Sequence, residues 1–107
     1  NQKIYKSSYK NYIKPVTYSV IKHGMLGLTK YFSSLYAEYN VRVNMISPGP
    51  VKNNQNKKLL KELEGIIPMN RLGEANELLG LLNFLASSES SYITGQNVLV
   101  DGGRTII

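Results

Sequence analysis

Two β-rich runs, residues 41–46 (VRVNMI) and Asn97–Val100 (NVLV), are separated by two stretches with helical periodicity. That order constrains the fold more than any other feature. Strand, helix, helix, strand implies a parallel β-α-β crossover, which is an α/β layout. Two parallel strands cannot cover their own faces and edges, because parallel sheets are normally buried inside larger layered structures. The sequence therefore reads as part of a wider sheet, and it contains no internal repeat.

The helices follow from spacing. Over residues 16–39 the positions Tyr18, Ile21, Met25, Leu28, Phe32 and Leu35 recur at intervals of three and four, the mark of a long amphipathic helix. Pro15 suits its first turn and Asn40 offers a stop. Gly24 and Gly27 inside it lower helix propensity, so close approach of another helix or a ligand is the expected reason for them. Residues 41–46 are expected to form a buried strand that ends at the breaker cluster Ser47-Pro48-Gly49-Pro50. Leu59, Leu60 and Leu63 are spaced as the inner stripe of a short helix over 55–64, without a strong cap. A further helix is expected over 74–86, with Leu78, Leu81, Leu82 and Leu85 on one face and Glu74 and Glu77 near its positive end. A polar connection over 87–95 leads to the last strand, which Asp101-Gly102-Gly103 closes. Residues 1–14 show no period and read as an extended loop.

Composition removes several chemistries. The 107 residues include no cysteine and one histidine, His23, which excludes disulfides and leaves no plausible zinc or other metal set. Chemistry here must use oxygen and lysine. No run reaches the roughly 18 apolar residues of a membrane span, and the lysine-rich start has no signal-peptide core, so a soluble, cytoplasmic protein is expected. The net charge of +6 is uneven. Lys3, Lys6, Lys10, Lys14, Lys22 and Lys30 all precede Glu38, the first acid. With Tyr5, Tyr9 and Tyr12 interleaved, that end could bind nucleic acid, but a solvated lysine-rich loop is the simpler reading.

Tyr18 and Lys22 lie four apart, so on a helix their side chains leave one face a turn from each other. An ammonium beside a phenol favours the phenolate and suits the pair to proton transfer; the same lysine can hydrogen-bond a sugar hydroxyl. Alone, Tyr-x-x-x-Lys is a weak motif that arises often by chance, and Tyr18 also falls on the apolar stripe.

The surrounding blocks strengthen it. Tyr18-Ser-Val-Ile-Lys22-His-Gly-Met-Leu-Gly-Leu-Thr-Lys30 resembles the active-site helix of the short-chain dehydrogenase/reductase family. Arg42-Val-Asn44-Met-Ile-Ser-Pro48-Gly49 resembles that family's sixth strand and Pro-Gly turn. Arg71-Leu-Gly73-Glu-Ala-Asn-Glu77 is similar to the entry of its next helix, and Ile93-Thr-Gly95-Gln-Asn-Val-Leu-Val-Asp101-Gly102-Gly103 to its terminal strand. The four blocks come in the family's order and cover nearly everything from Pro15 onward.

The resemblance implies that residues 15–107 are the C-terminal portion of a Rossmann-like, doubly wound parallel sheet, with residues 1–14 a loop or insertion before the active-site helix. It implies an NAD- or NADP-dependent oxidoreductase moving hydride between nicotinamide and a secondary alcohol or ketone. Tyr18 would give or take the proton. Lys22 would assist it and bind the nicotinamide ribose. Pro48 and Gly49 would let the backbone approach the nicotinamide, and Val51 would bond its carboxamide through main-chain groups. Asn53 stands where family members often have a cofactor-binding Thr, with a different donor set. The resemblance also implies a homodimer or homotetramer. The stretch before Tyr18 and the Ser-Pro-Gly segment resemble members tied to surface-carbohydrate biosynthesis, which suggests a sugar-derived substrate. Residues 55–64 correspond to a mobile lid.

Two family features have no match. The catalytic Ser usually lies about a dozen residues before the Tyr, at the end of an apolar strand; Ser7 and Ser8 are close but follow no such strand, so that serine is expected upstream of Asn1. No G-x-x-x-G-x-G turn occurs, and that turn seats pyrophosphate on a helix N-terminus. The isolated chain is therefore expected to lack activity. His23 points about 100° from Lys22 on the helix and is expected at the surface. Competing readings are a non-catalytic oligomerisation module that keeps the family's helices, or a basic nucleic-acid-binding domain.

Overall fold

In the computed structural model, which describes residues 16–106, the two strands pair in parallel. The loop expected over 1–14, with its lysines, tyrosines, Ser7 and Ser8, lies outside those residues. The order is α1 (Val16–Tyr36), β1 (Met45–Pro48), α2 (Lys57–Gly65), α3 (Asn76–Ala86) and β2 (Asn97–Val100). Single 3-10 turns follow α1, α3 and β2. No helix among the described residues is long and apolar enough to cross a membrane.

The α-helix ends at Tyr36, and Asn40 stops the 3-10 turn over Ala37–Tyr39 that continues it: it adopts the left-handed conformation (φ 60°), and its N–H donates to the Ala37 carbonyl at 3.0 Å. The strand begins later than expected. Residues 42–44 are engaged instead by the loop before β2. Val43 N–H donates to Thr94 Oγ1 and Asn44 Nδ2 to the Ile93 carbonyl, while Arg42 reaches Ser90 Oγ at 2.9 Å and the Ser87 carbonyl at 3.1 Å. The ladder itself runs from Met45 to Pro48. Met45 and Gly49 donate to the Gln96 and Val100 carbonyls of the β2 side. Alternation then turns Ile46 and Pro48 to the opposite edge, where proline's missing N–H breaks no bond to β2.

The short helix has the cap that its sequence did not advertise: Asn56 Oδ1 accepts from Leu59 N–H at 2.8 Å. Its stripe is as expected, with Leu63 buried against Ile67 and Leu72 and with Leu59 and Leu60 packed alongside. Helix α3 starts two residues later than the spacing suggests. Of the four leucines expected on one face, Leu82 is exposed while Leu78, Leu81 and Leu85 are half-buried.

The apolar stripe of α1 is open to solvent, with Ile21 61% and Leu28 55% exposed. The buried face instead carries Thr29 and Ser33. Their hydroxyls turn back onto the helix, to the Met25 and Lys30 carbonyls at 2.8 Å each, which lets a small polar face pack closely. Gly95 meets that face. It holds φ +72°, and a Cβ there would lie 2.8 Å from Ser33 Oγ. Gly24 and Gly27, for which a close neighbour was expected, are open: a methyl group on either would meet nothing within 4 Å among the described residues. The apolar stripe and both glycines are therefore left uncovered by the described residues of this segment.

Candidate active site

Helix α1 brings Tyr18 and Lys22 together. Lys22 Nζ lies 5.6 Å from the centre of the Tyr18 ring, within cation–π range. Both side chains are exposed, Tyr18 at 42%. Further along the helix, Lys22, His23 and Leu26 form one wall of a cleft whose other wall is Met45, Ser47 and Asn97. Lys22 thus stands beside the strand that leads into Pro48 and Gly49. His23 is at the surface, with Nδ1 2.8 Å from the Ser19 carbonyl one turn back.

Pro48 ends β1 opposite Val100, and Gly49 N–H donates to the Val100 carbonyl at 2.9 Å. A side chain at Gly49 is excluded by β2 itself: a Cβ would come within 2.7 Å of Asp101 Cβ and 2.8 Å of its Cα. The glycine expected to admit a cofactor is therefore also required by the exit of the neighbouring strand. Asp101 caps the turn after it. Its carboxylate accepts from Gly103 N–H at 3.0 Å and Thr105 N–H at 3.2 Å. Bonding from the Thr105 side chain, followed by these amides and the Arg104 charge, holds that carboxyl below the usual carboxylate range.

Beyond Gly49 the chain is fastened to the entry of α3. Gly73 N–H donates to the Pro50 carbonyl at 3.0 Å and Lys52 N–H to the Gly73 carbonyl at 2.9 Å, a parallel bridge of Val51 with Gly73. In such a bridge the flanking residues make the bonds, so the N–H and C=O of Val51 point to the other face. On that face Gln55 Nε2 donates to the Val51 carbonyl at 2.8 Å, and Asn53 N–H donates to Gln55 Oε1 at 2.6 Å. The Asn53 side chain is exposed.

Two ion pairs reinforce the junction. Lys52 Nζ is 2.9 Å from Glu74 Oε1, and hydrogen bonding to Glu74, more than its charge, raises the lysine above its ordinary range. Arg71 grips Glu77 with two bonds, at 2.6 and 2.9 Å, while Glu77 Oε1 also accepts from Glu74 N–H at 3.0 Å. The latter is half of a capping box. The Arg71 bonds first, and the Glu74 amide second, lower Glu77 from 4.5 to about 2.

The donor set suits the nicotinamide nucleoside that the sequence resemblance implies. An ammonium supplies donors for ribose hydroxyls, and the outward N–H and C=O of Val51 match a carboxamide, which has one acceptor and one donor group. Sequence reasoning named Tyr18, Lys22, Pro48, Gly49, Val51 and Asn53 but missed Gln55 and the Lys52–Glu74 pair. Gln55 was visible as a long amide four residues beyond Val51. Lys52 and Glu74 are too far apart in sequence for any spacing rule to join them.

Residues 5–105 match the family model described as enoyl-(acyl carrier protein) reductase. The chain is 43% identical over 88 residues to a trans-4-hydroxycyclohexanecarboxylate dehydrogenase from Sinomonas cyclohexanicum, covering 82% of this chain and 34% of that protein. It is 34% identical to the 2-dehydro-3-deoxy-D-gluconate 5-dehydrogenase of Escherichia coli, over 90% of this chain and 40% of that one. A short-chain dehydrogenase from Leptospira borgpetersenii, solved with bound NAD+, superposes with a TM-score of 0.81 at 41% identity, covering 88% of this chain and 37% of its own. The chain thus spans little more than a third of the length of such proteins, and what it spans is part of a Rossmann-like sheet.

Proposed function

Since the chain belongs to the short-chain dehydrogenase/reductase family, we propose that it carries the proton-transfer part of an NAD- or NADP-dependent oxidoreductase acting on a secondary alcohol or ketone. The observation that carries this reading is the Tyr18–Lys22 pair, an exposed phenol with an ammonium 5.6 Å from its ring centre.

The nicotinamide, when bound, gives or takes the hydride. Tyr18 Oη would give its proton to the carbonyl oxygen in reduction and, when deprotonated, would take the proton of the hydroxyl in oxidation. Lys22 keeps positive charge beside the phenol and offers its N–H groups to the ribose hydroxyls. Pro48 and Gly49 would present main chain, without side-chain bulk at Gly49, to a bound nicotinamide. Val51 orients the carboxamide through its N–H and C=O, and Asn53 borders the same loop. A carbohydrate-derived substrate is favoured by the likeness to the gluconate-series dehydrogenase. The uncovered apolar stripe of α1 is in keeping with assembly as a homodimer or homotetramer.

The test is Tyr18→Phe in the intact gene product, assayed for oxidation of a panel of secondary alcohols and sugar acids. Turnover should be lost while cofactor affinity is nearly unchanged. Near-normal turnover in the Phe variant would refute the assignment of the proton to Tyr18.

A further inference from the structure

Gln55 is half-buried at the foot of α2, yet its carboxamide makes no bond to the helix that follows it. Both ends are spent on the loop behind: Nε2 donates to the Val51 carbonyl at 2.8 Å, and Oε1 accepts from Asn53 N–H at 2.6 Å. One side chain therefore closes a ring over four residues of main chain. Asn54, inside that ring, holds φ +55°, a conformation that an L-residue other than glycine adopts at some cost. A segment bent in this way needs something to hold it. The opposite face of the loop is already held by the two Gly73 bonds and by the Lys52–Glu74 pair.

We infer that Gln55 is a positioning residue, which sets the Val51 main chain for the nicotinamide carboxamide by clamping the loop from the side opposite Gly73. This rests on the cofactor reading given above. A carbonyl oxygen has two lone pairs, so the Val51 C=O can keep Gln55 Nε2 while accepting a second donor. The Val51 N–H takes no part in the Gln55 bonds but is aimed by them. Where family members often place a Thr hydroxyl two residues after Val51, this chain has Asn53, and Gln55 holds the main chain of that residue directly.

The experiment uses the intact gene product with Gln55→Met, which keeps length and apolar packing but removes both bonds, and Gln55→Glu, which keeps only the acceptor for Asn53 N–H. Binding of NADH and NADPH is followed by nicotinamide fluorescence, and binding of ADP-ribose, which has no nicotinamide, by calorimetry. Loss of one or two hydrogen bonds that preorganise the loop should weaken binding of the preferred reduced cofactor about fivefold to tenfold in Gln55→Met. ADP-ribose affinity should stay within error of the unsubstituted protein, and Gln55→Glu should weaken binding of the reduced cofactor less than Gln55→Met does. At saturating cofactor, kcat should change less than the KM for cofactor. Equal loss for ADP-ribose would mean a general structural effect and would overturn the clamp. Tighter NADH binding in Gln55→Met would also overturn it, since Gln55 would then be competing with the cofactor for Val51. No cofactor binding by the unsubstituted protein would overturn the reading beneath both.

Discussion

Gly49 and Asp101 touch backbone to backbone: a methyl group on Gly49 would sit 2.8 Å from the Asp101 Cα. The contact joins the ends of the two strands just where β1 passes into the loop proposed to hold the cofactor. Neither partner can give way easily, because Asp101 is tied through its carboxylate to Gly103 and Thr105. Gly49→Ala should therefore cost about 1–3 kcal/mol, as overpacking of a rigid contact usually does. Urea unfolding of the substituted protein would read this as a lower midpoint with an unchanged slope. An unchanged midpoint would mean that the strand ends are looser than this contact implies.

Gly95 faces a double demand, a left-handed φ of +72° and the Ser33 hydroxyl 2.8 Å from any Cβ. Gly95→Ala should destabilise through both. The two parts separate in a double-mutant cycle. Ser33→Ala removes the hydroxyl and leaves only an ordinary 3.5 Å contact with Ser33 Cβ, so it should restore part of the loss but not the strain of roughly 1 kcal/mol from positive φ. Simple additivity of the two substitutions would show that α1 does not seat on Gly95 in solution.

Glu77 gives a pH dependence whose sign is defined. Its folded value of about 2 lies below its ordinary 4.5, so between these the unfolded chain binds more protons and stability rises with pH. Its contribution is complete above 4.5 and is lost as pH falls toward 2. Glu77→Gln should flatten that stretch of an acid-unfolding profile and leave the neutral region parallel to the unsubstituted curve. A profile as steep as before would assign the acid sensitivity to another carboxylate, with Asp101, also lowered, the first to examine.

Lys22 is proposed to act twice, on the phenol and on the ribose. Lys22→Ala should therefore raise the KM for cofactor and lower kcat together, the latter by about a hundredfold or more if proton transfer is impaired as in general acid–base catalysis. Steady-state kinetics with cofactor varied at saturating substrate would distinguish this from Tyr18→Phe. A change confined to KM would reduce Lys22 to a binding group.

The element order and parallel pairing were legible because apolar period and breaker residues are local signals: Leu59, Leu60 and Leu63 mark their helix, and Asp101-Gly102-Gly103 ends its strand. The direction of α1 was not. Tyr18, Ile21, Met25 and Leu28 form the more apolar face, and hydropathy alone assigns such a face to the interior. Burial in this segment is decided instead by steric fit, since Ser33 is small enough to meet Gly95. The strand start at Met45 was misjudged for a similar reason: Arg42 and Asn44 are drawn off by Ser90 and Ile93, about fifty residues away in sequence. Of the site, the Tyr18–Lys22 pair was visible as a helical spacing, whereas the clamp on Val51 depends on a turn whose shape no periodicity encodes.

Pro48 has a consequence for whatever lies beside β1. Its register faces the edge away from β2, and it offers no donor there. A third strand laid along that edge would find a donor at Ile46 but none at Pro48, so the ladder on that side would lose one bond at the carboxyl end of β1.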